Sequence, residues 1–181
     1  MSTFILTGLM AFFILTGGAG HASAPEFTTI ITSLTGYNAV PAQTDGDPTT
    51  TASGAYSNPN VVAARSRDLA DTLPFGTVIQ IMPTDERSDS CGLNVVGNDI
   101  GYRVIADTMN ARITNTIDVL FAVGDTIQYN GKAVNAARVL GTCSDVTVRI
   151  VGTIDLSRPS KLPKTQSELA AMVGASGLAV K

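Results

Sequence analysis

The chain has 181 residues, of which 15% are charged and 44% are hydrophobic, and its formal net charge at pH 7 is −3. These proportions are typical of one globular domain with a substantial core, and they exclude a disordered chain. Because the few Lys and Arg residues are dispersed, the sequence offers no basic surface for phosphates, and nucleic acid is not expected as a partner.

The N-terminus is interpreted as an export segment. Residues 1–24 contain no Lys, Arg, Asp or Glu, and the run from Phe4 to Thr16 has the length of a signal-peptide core rather than of a bilayer span. Ala22-Ser23-Ala24 fits the small-x-small cleavage pattern. The alternative is an uncleaved anchor, which would be the protein's contact with a membrane. Either interpretation predicts a secreted or periplasmic domain.

The two cysteines are predicted to form a disulfide. Cys91 and Cys143 are distant in a chain that we expect to be exported, and such cysteines pair more often than they bind metal. Closing a loop of this length would stabilise the fold by roughly 4 kcal/mol in the chain-entropy treatment. Two buried free thiols are the alternative.

Short segments rich in β-branched residues and separated by turns follow the export segment. Strands are predicted over residues 28–39, 77–82, 102–107, 117–121, 126–130, 133–140 and 146–156, with a strand or short helix over 61–72. Polar residues with Gly and Pro predict a loop over 41–60 and a loop or hairpin over 83–101. Residues 28–156 therefore indicate an all-β barrel or sandwich. Residues 157–181 are predicted as a linker and a short C-terminal helix, with Thr165 and Glu168 as a capping box.

Several catalytic chemistries are excluded by the composition. The one histidine, His21, lies in the segment that we expect to be removed, so the mature chain would have no imidazole for a Ser/His/Asp or Cys/His site. Two cysteines cannot form a four-thiolate zinc site, and no glycine-rich phosphate loop connects a strand to a helix. We therefore expect no metal and no cofactor.

Two aspartates stand out because their neighbours are core-forming residues. Asp107 follows Ile105 and Ala106, and Asp118 lies between Ile117 and Val119. Carboxyl groups that lose hydration have raised pKa values, as a general acid requires. The alternative is that strand alternation points each side chain to solvent, or that backbone groups in a turn hold it.

Five short motifs between residues 34 and 151 together resemble a known family. They are Thr35–Asn38, Thr51–Gly54, Val62-Ala63 leading to Leu73–Thr77, Ala106–Thr108, and Ile117–Phe121. The chain resembles the three-aspartate (3D) domain, the double-psi β-barrel module of membrane-bound lytic transglycosylase A and of small exported cell-wall proteins. The spacing of eleven residues between Asp107 and Asp118 matches the family pattern. The resemblance implies a six-stranded double-psi β-barrel over residues 28–156.

The resemblance also implies an activity on peptidoglycan glycan strands. It implies cleavage of the β-1,4 bond between N-acetylmuramic acid and N-acetylglucosamine, with a 1,6-anhydromuramyl product. Asp118 matches the acid/base, Asp107 the supporting aspartate, and Asp68 the family's first aspartate, with Asp71 as a rival. The residues expected to bind substrate lie in or just after the same motifs and are Tyr37, Ser53, Thr108 and Asn110.

A non-catalytic cell-wall glycan-binding module is the alternative function. The same kind of barrel occurs in expansin-like and barwin-like proteins, and a fold does not determine a function. The aspartate pair favours the enzyme. The family's large additional domain, which forms a substrate groove, is not evident here, and the residues after Asp107-Thr108 are not the family's usual glycines; both differences favour a binding module.

Overall fold

A computed structural model describes residues 27–44, 46–82, 91–158 and 161–176. The predicted export segment, part of the predicted loop over 83–101 and the end of the C-terminal tail lie outside the described residues. The strands are β1 (Thr29–Asn38), β2 (Val62–Arg65), β3 (Thr77–Met82), β4 (Tyr102–Thr108), β5 (Thr116–Phe121), β6 (Thr126–Tyr129), β7 (Lys132–Asn135) and β8 (Cys143–Thr153). The helices are α1 (Leu93–Ile100), α2 (Ala136–Leu140) and α3 (Gln166–Ser176).

Six strands close into a barrel in the order β1-β5-β2-β4-β3-β8. The pairs β1–β5 and β2–β4 are parallel, and the other pairs are antiparallel. β6 and β7 form a separate hairpin. Its turn is Asn130-Gly131, as predicted, and both residues have positive φ. The sequence-based prediction of a mainly β protein with a six-stranded barrel and a short C-terminal helix is confirmed.

The barrel strands β2, β4 and β5 are packed on both faces. Their residues alternate between two hydrophobic clusters, as the two-residue period of a strand requires. In β2, for example, Ala63 belongs to the first cluster, and Val62 and Ala64 belong to the second. The first cluster also contains residues of α1 and α2, and the second contains Leu169 of α3. Burial on both faces explains why these three strands are rich in apolar residues, whereas β1 and β8 also carry exposed polar residues.

Helix α1 corrects the prediction of a loop or hairpin over residues 83–101. Leu93, Val96 and Ile100 are all buried, and their spacing places them on one face of the helix. The turn-forming residues between them obscured this pattern.

Cys91, just before α1, forms a disulfide with Cys143 at the start of β8, with 5.3 Å between their Cα atoms. The predicted disulfide is therefore confirmed.

Helix α2 corrects the predicted strand over residues 133–140, of which only the first part is a strand. The Asn135 side chain accepts a hydrogen bond from Ala137 N at 3.1 Å and caps the helix. Gly141, with a φ of 65°, ends it. The cap and the burial of Leu140 outweigh the β-propensity of Val139.

The two remaining predictions are confirmed in part. Residues 61–72 contain both predicted alternatives, since β2 is followed by a single 3₁₀ turn at Arg67–Leu69. At the start of α3, Glu168 N donates to Thr165 Oγ1 at 3.1 Å, which is one half of a capping box. The Glu168 carboxylate instead accepts from Lys164 N. Among the described residues, none of the helices has the length and apolarity needed to cross a membrane.

Candidate functional site

The two aspartates singled out in the sequence lie on either side of one alanine. Ala64 of β2 pairs with Asp118 of β5 and with Asp107 of β4. Asp118 pairs in turn with Thr35 of β1. Because directly paired residues project to the same face of a sheet, these four side chains form a row across three strand boundaries. The small side chain of Ala64 leaves room beside both carboxyl groups.

A β-bulge in β4 brings Asp107 into this row. Ala63 pairs with Ile105, but the next residue, Ala64, pairs with Asp107, so Ala106 is the extra residue. In an unbroken ladder Ala64 would pair with Ala106, and Asp107 would face the other side of the sheet. The Ala106 carbonyl accepts a hydrogen bond from Ser53 N at 3.0 Å, which ties the loop before β2 to the bulge.

The row opens into a cleft of about 540 Å³. This volume is within the usual range of small-molecule sites. The loop before β2 and the connection between β4 and β5 form its walls. Five of the predicted site residues line it, namely Tyr37, Asp107, Thr108, Asn110 and Asp118.

The Asp107 carboxylate accepts three hydrogen bonds. Tyr37 OH donates to Oδ2 at 3.0 Å, and the backbone N–H groups of Ala52 and Thr108 donate to Oδ1 at 2.9 Å. Burial, followed by the negative charge of Asp107, raises the pKa of Tyr37 far above its ordinary range, so the phenol keeps its proton and remains a donor. Asp107 is therefore held in one orientation.

The Asp118 carboxyl is held by one hydrogen bond and is poorly hydrated. Thr35 Oγ1 donates to its Oδ1 at 2.8 Å. The pKa of Asp118 is raised from 3.8 to about 6, and loss of hydration is the largest cause; the Thr35 hydrogen bond opposes the rise, and the charge of Asp107 adds to it. Asp118 can therefore hold or release a proton near neutral pH, as a general acid/base must.

Asp68, the candidate for the family's first aspartate, does not line the cleft. It lies in the 3₁₀ turn after β2, where its Oδ2 accepts a hydrogen bond from Asn115 N at 2.9 Å. Hydrogen bonds from Ser66 and from Asn115 hold the pKa of Asp68 below its ordinary value. Its observed contacts support the connection between β4 and β5, where Asn115 has a φ of 44°. Its rival, Asp71, does not line the cleft either.

The predicted substrate-binding residues have different surroundings. Ser53 does not line the cleft, and its hydroxyl lies 3.0 Å from Thr51 Oγ1 within the loop before β2. Thr108 lines the cleft and orients Asp107 through its backbone. Asn110 is exposed at the cleft wall, and its Oδ1 accepts from Arg112 N at 3.1 Å.

Two residues of the site were not identified from the sequence. Thr35 is two residues before Tyr37, and the period of a strand places both on one face, so alternation along β1 could have indicated it. Arg67 is the only cationic side chain among the described residues that line the cleft. No short-range sequence signal distinguishes it from other surface arginines.

The pair of aspartates is suited to proton transfer. Asp118 carries the exchangeable proton, and Asp107 presents an oriented acceptor a short distance away across Ala64.

The described residues contain no group of three or more His, Cys, Asp or Glu that could hold a metal ion. A scan of protein-family models finds none that matches this chain, and a search of curated proteins finds no match either.

Proposed function

We propose that this chain is an exported peptidoglycan lytic transglycosylase, which cleaves the β-1,4 bond between N-acetylmuramic acid and N-acetylglucosamine. The observation that supports the proposal most is the Asp118 carboxyl, whose burial beside an open cleft raises its pKa to about 6. A mixed six-stranded barrel with two parallel pairs is compatible with the double-psi topology that the resemblance to the 3D domain implies. Secretion and cell-wall association are part of the proposal.

Asp118 acts first as the general acid. Its proton passes to the glycosidic oxygen while the bond from that oxygen to C1 of the muramic acid breaks, and positive charge develops at C1. Asp118 then accepts the proton of the same sugar's C6 hydroxyl as that oxygen bonds to C1. The products are a free 4-hydroxyl and a 1,6-anhydro ring, and the acid is regenerated.

An intramolecular nucleophile explains how one exchangeable carboxyl suffices. Ordinary glycosidases use a second carboxylate to activate water or to attack the sugar. Here the C6 hydroxyl is already part of the substrate, and such proximity can lower a barrier by several kcal/mol. Asp107 is occupied by three hydrogen bonds and is not placed as a nucleophile. Its oriented charge raises the pKa of Asp118 and favours the developing positive charge at C1.

Product analysis of digested peptidoglycan tests the proposal. Purified protein is incubated with peptidoglycan, and the soluble muropeptides are analysed by mass for anhydro ends. We expect release by the wild type and a loss of about 10²-fold or more in Asp118→Asn, which removes the acid but keeps the shape. Asp155→Asn is a matched control, because Asp155 is exposed, pairs with Lys161 and does not line the cleft.

Two outcomes would contradict the proposed enzymatic function. Equal release by Asp118→Asn and the wild type would exclude Asp118 as the acid. Protein that sediments with peptidoglycan but releases no anhydro ends would identify the chain as a glycan-binding module instead.

A further inference from the structure

A second cavity, of about 420 Å³, shares no lining residue with the cleft. It lies between the end of α1, the connection between β5 and β6, and the start of α3. Three charged residues line it, namely Arg103 of β4, Asp99 of α1 and Asp125 of the β5–β6 connection. The proposed catalytic chemistry uses none of them.

Arg103 is a buried cation without a carboxylate partner in the described part of the chain. Its side chain is only 2% exposed. Nε donates to Ile100 O at 2.8 Å, and Nη1 donates to Leu120 O at 3.2 Å and to the carbonyl of Pro59. Nη2 makes no hydrogen bond to the described residues. The guanidinium group is therefore fixed by three carbonyls and lies over the Phe121 ring, 5.9 Å from its centroid, and Nη2 remains an unused donor among the described residues.

The positive charge of Arg103 is costly in this position. Burial lowers the pKa of Arg103 to about 10, although the negative charge of Asp125 partly opposes that effect. A buried ion is stabilised when an opposite charge binds it with good geometry, and guanidinium groups bind carboxylates especially well. An anionic group in the cavity would therefore gain a strong, charge-assisted hydrogen bond.

The rim of the cavity has the opposite charge. Asp99 and Asp125 are both exposed, and each lines the cavity. The Asp125 carboxylate accepts a hydrogen bond from Ala122 N at 2.9 Å, which fixes its position. A simple anion would be repelled by two carboxylates on its way to Arg103, whereas a ligand that also carries a positive charge would match both regions.

We propose that this cavity binds a small zwitterion, an amino acid or short peptide whose carboxylate meets Arg103 and whose ammonium group meets Asp99 and Asp125. A volume of about 420 Å³ accommodates a ligand of this size. The inference rests on the burial and charges of these three residues, and it is independent of the proposed cleavage of glycan.

Titrations of the full chain, followed by nuclear magnetic resonance, test this site. The probes are glycylglycine, acetate and methylamine, and the reporters are the Arg103 Nε–H and the backbone amides of Gly124 and Thr126. We expect saturable shifts with glycylglycine, binding of acetate about tenfold weaker, and no saturable shift with methylamine. Equal binding of acetate and glycylglycine, or no saturable shift with glycylglycine, would overturn the proposal.

A variant at the rim separates the zwitterion from a simple anion. Arg103 also holds three carbonyls, so its replacement could prevent folding, whereas Asp99 is exposed on α1. We expect Asp99→Asn to weaken glycylglycine binding by about three- to tenfold and to leave acetate binding unchanged or stronger. The control Asp155→Asn should change neither. Unchanged glycylglycine binding in Asp99→Asn, or an equal loss for both probes, would contradict the inference.

Discussion

Asp118→Asn is predicted to make the protein more stable at neutral pH while it removes the proposed acid. Raising the pKa of this carboxyl from 3.8 to about 6 means that its charged form is disfavoured in the folded state. A tenfold change in a protonation equilibrium is worth about 1.4 kcal/mol, so the full effect well above pH 6 is about 3 kcal/mol. Because the side chain is half-buried beside an open cleft, we expect about 1–2 kcal/mol in practice.

The pH dependence of this difference has a definite sign. For a group whose pKa is higher in the folded state, the contribution to stability is fully present below pH 3.8 and is lost as the pH rises through about 6. Asparagine cannot ionise, so the variant does not lose this stability as the pH rises. Its amide oxygen can still accept the hydrogen bond from Thr35 Oγ1. The free energy of unfolding of the variant, minus that of the wild type, should therefore grow by about 1–2 kcal/mol between pH 4 and pH 8.

Urea unfolding of both proteins at several pH values measures this difference. Asp155→Asn removes an exposed carboxylate whose pKa is lowered by its hydrogen bond to Lys161, so this control should show the opposite trend and become relatively less stable as the pH rises. The interpretation of Asp118 would be refuted by a difference that does not change between pH 4 and pH 8. It would also be refuted by an Asp118→Asn variant that becomes relatively less stable as the pH rises, because that result would mean the carboxylate is favoured in the fold.

Three further changes should each reduce the free energy of unfolding, measured by urea denaturation. Asp107→Asn should cost about 1–3 kcal/mol, since an amide cannot accept the three hydrogen bonds of the carboxylate; a gain would contradict this role. Gly76→Ala should cost about 3 kcal/mol, because φ is 92° and the added Cβ would collide with a carbonyl. The control Gly131→Ala also has a positive φ but has free space around it, so it should cost about 1 kcal/mol. Equal costs for the two variants would contradict the predicted collision. Replacing Cys91 and Cys143 together by Ala should cost up to roughly 4 kcal/mol for a separation of 52 residues, and no loss would contradict the role of the disulfide.

β4 and β5 could be predicted because each is buried on both faces. In β5, Ile117 and Val119 belong to one hydrophobic cluster and Leu120 to the other, so almost every position favours a β-forming side chain. β3 lies at the predicted residues. α1 was missed because polar, turn-forming residues separate Leu93, Val96 and Ile100, and this spacing had to compete with a local loop signal.

The candidate site was only partly predictable. Asp107 and Asp118 could be predicted as candidate site residues because their sequence neighbours are apolar. In the structure, the loss of hydration expected from such neighbours raises the pKa of Asp118. Their placement on either side of Ala64 depends on two different strand pairings and on the bulge at Ala106, which no short sequence window specifies. The partner Thr35 is 83 residues from Asp118 in the chain, so only the parallel pairing of β1 with β5 joins them.

The titration of the Asp118 carboxyl tests the central claim most directly. Carbon-13 labelling of the aspartate carboxyl groups, with assignment by the Asp118→Asn variant, gives its midpoint by nuclear magnetic resonance. We predict a midpoint near pH 6, and a lower midpoint in Asp107→Asn, where the neighbouring charge is removed. A midpoint near the ordinary value of 3.8, unchanged by Asp107→Asn, would contradict the account.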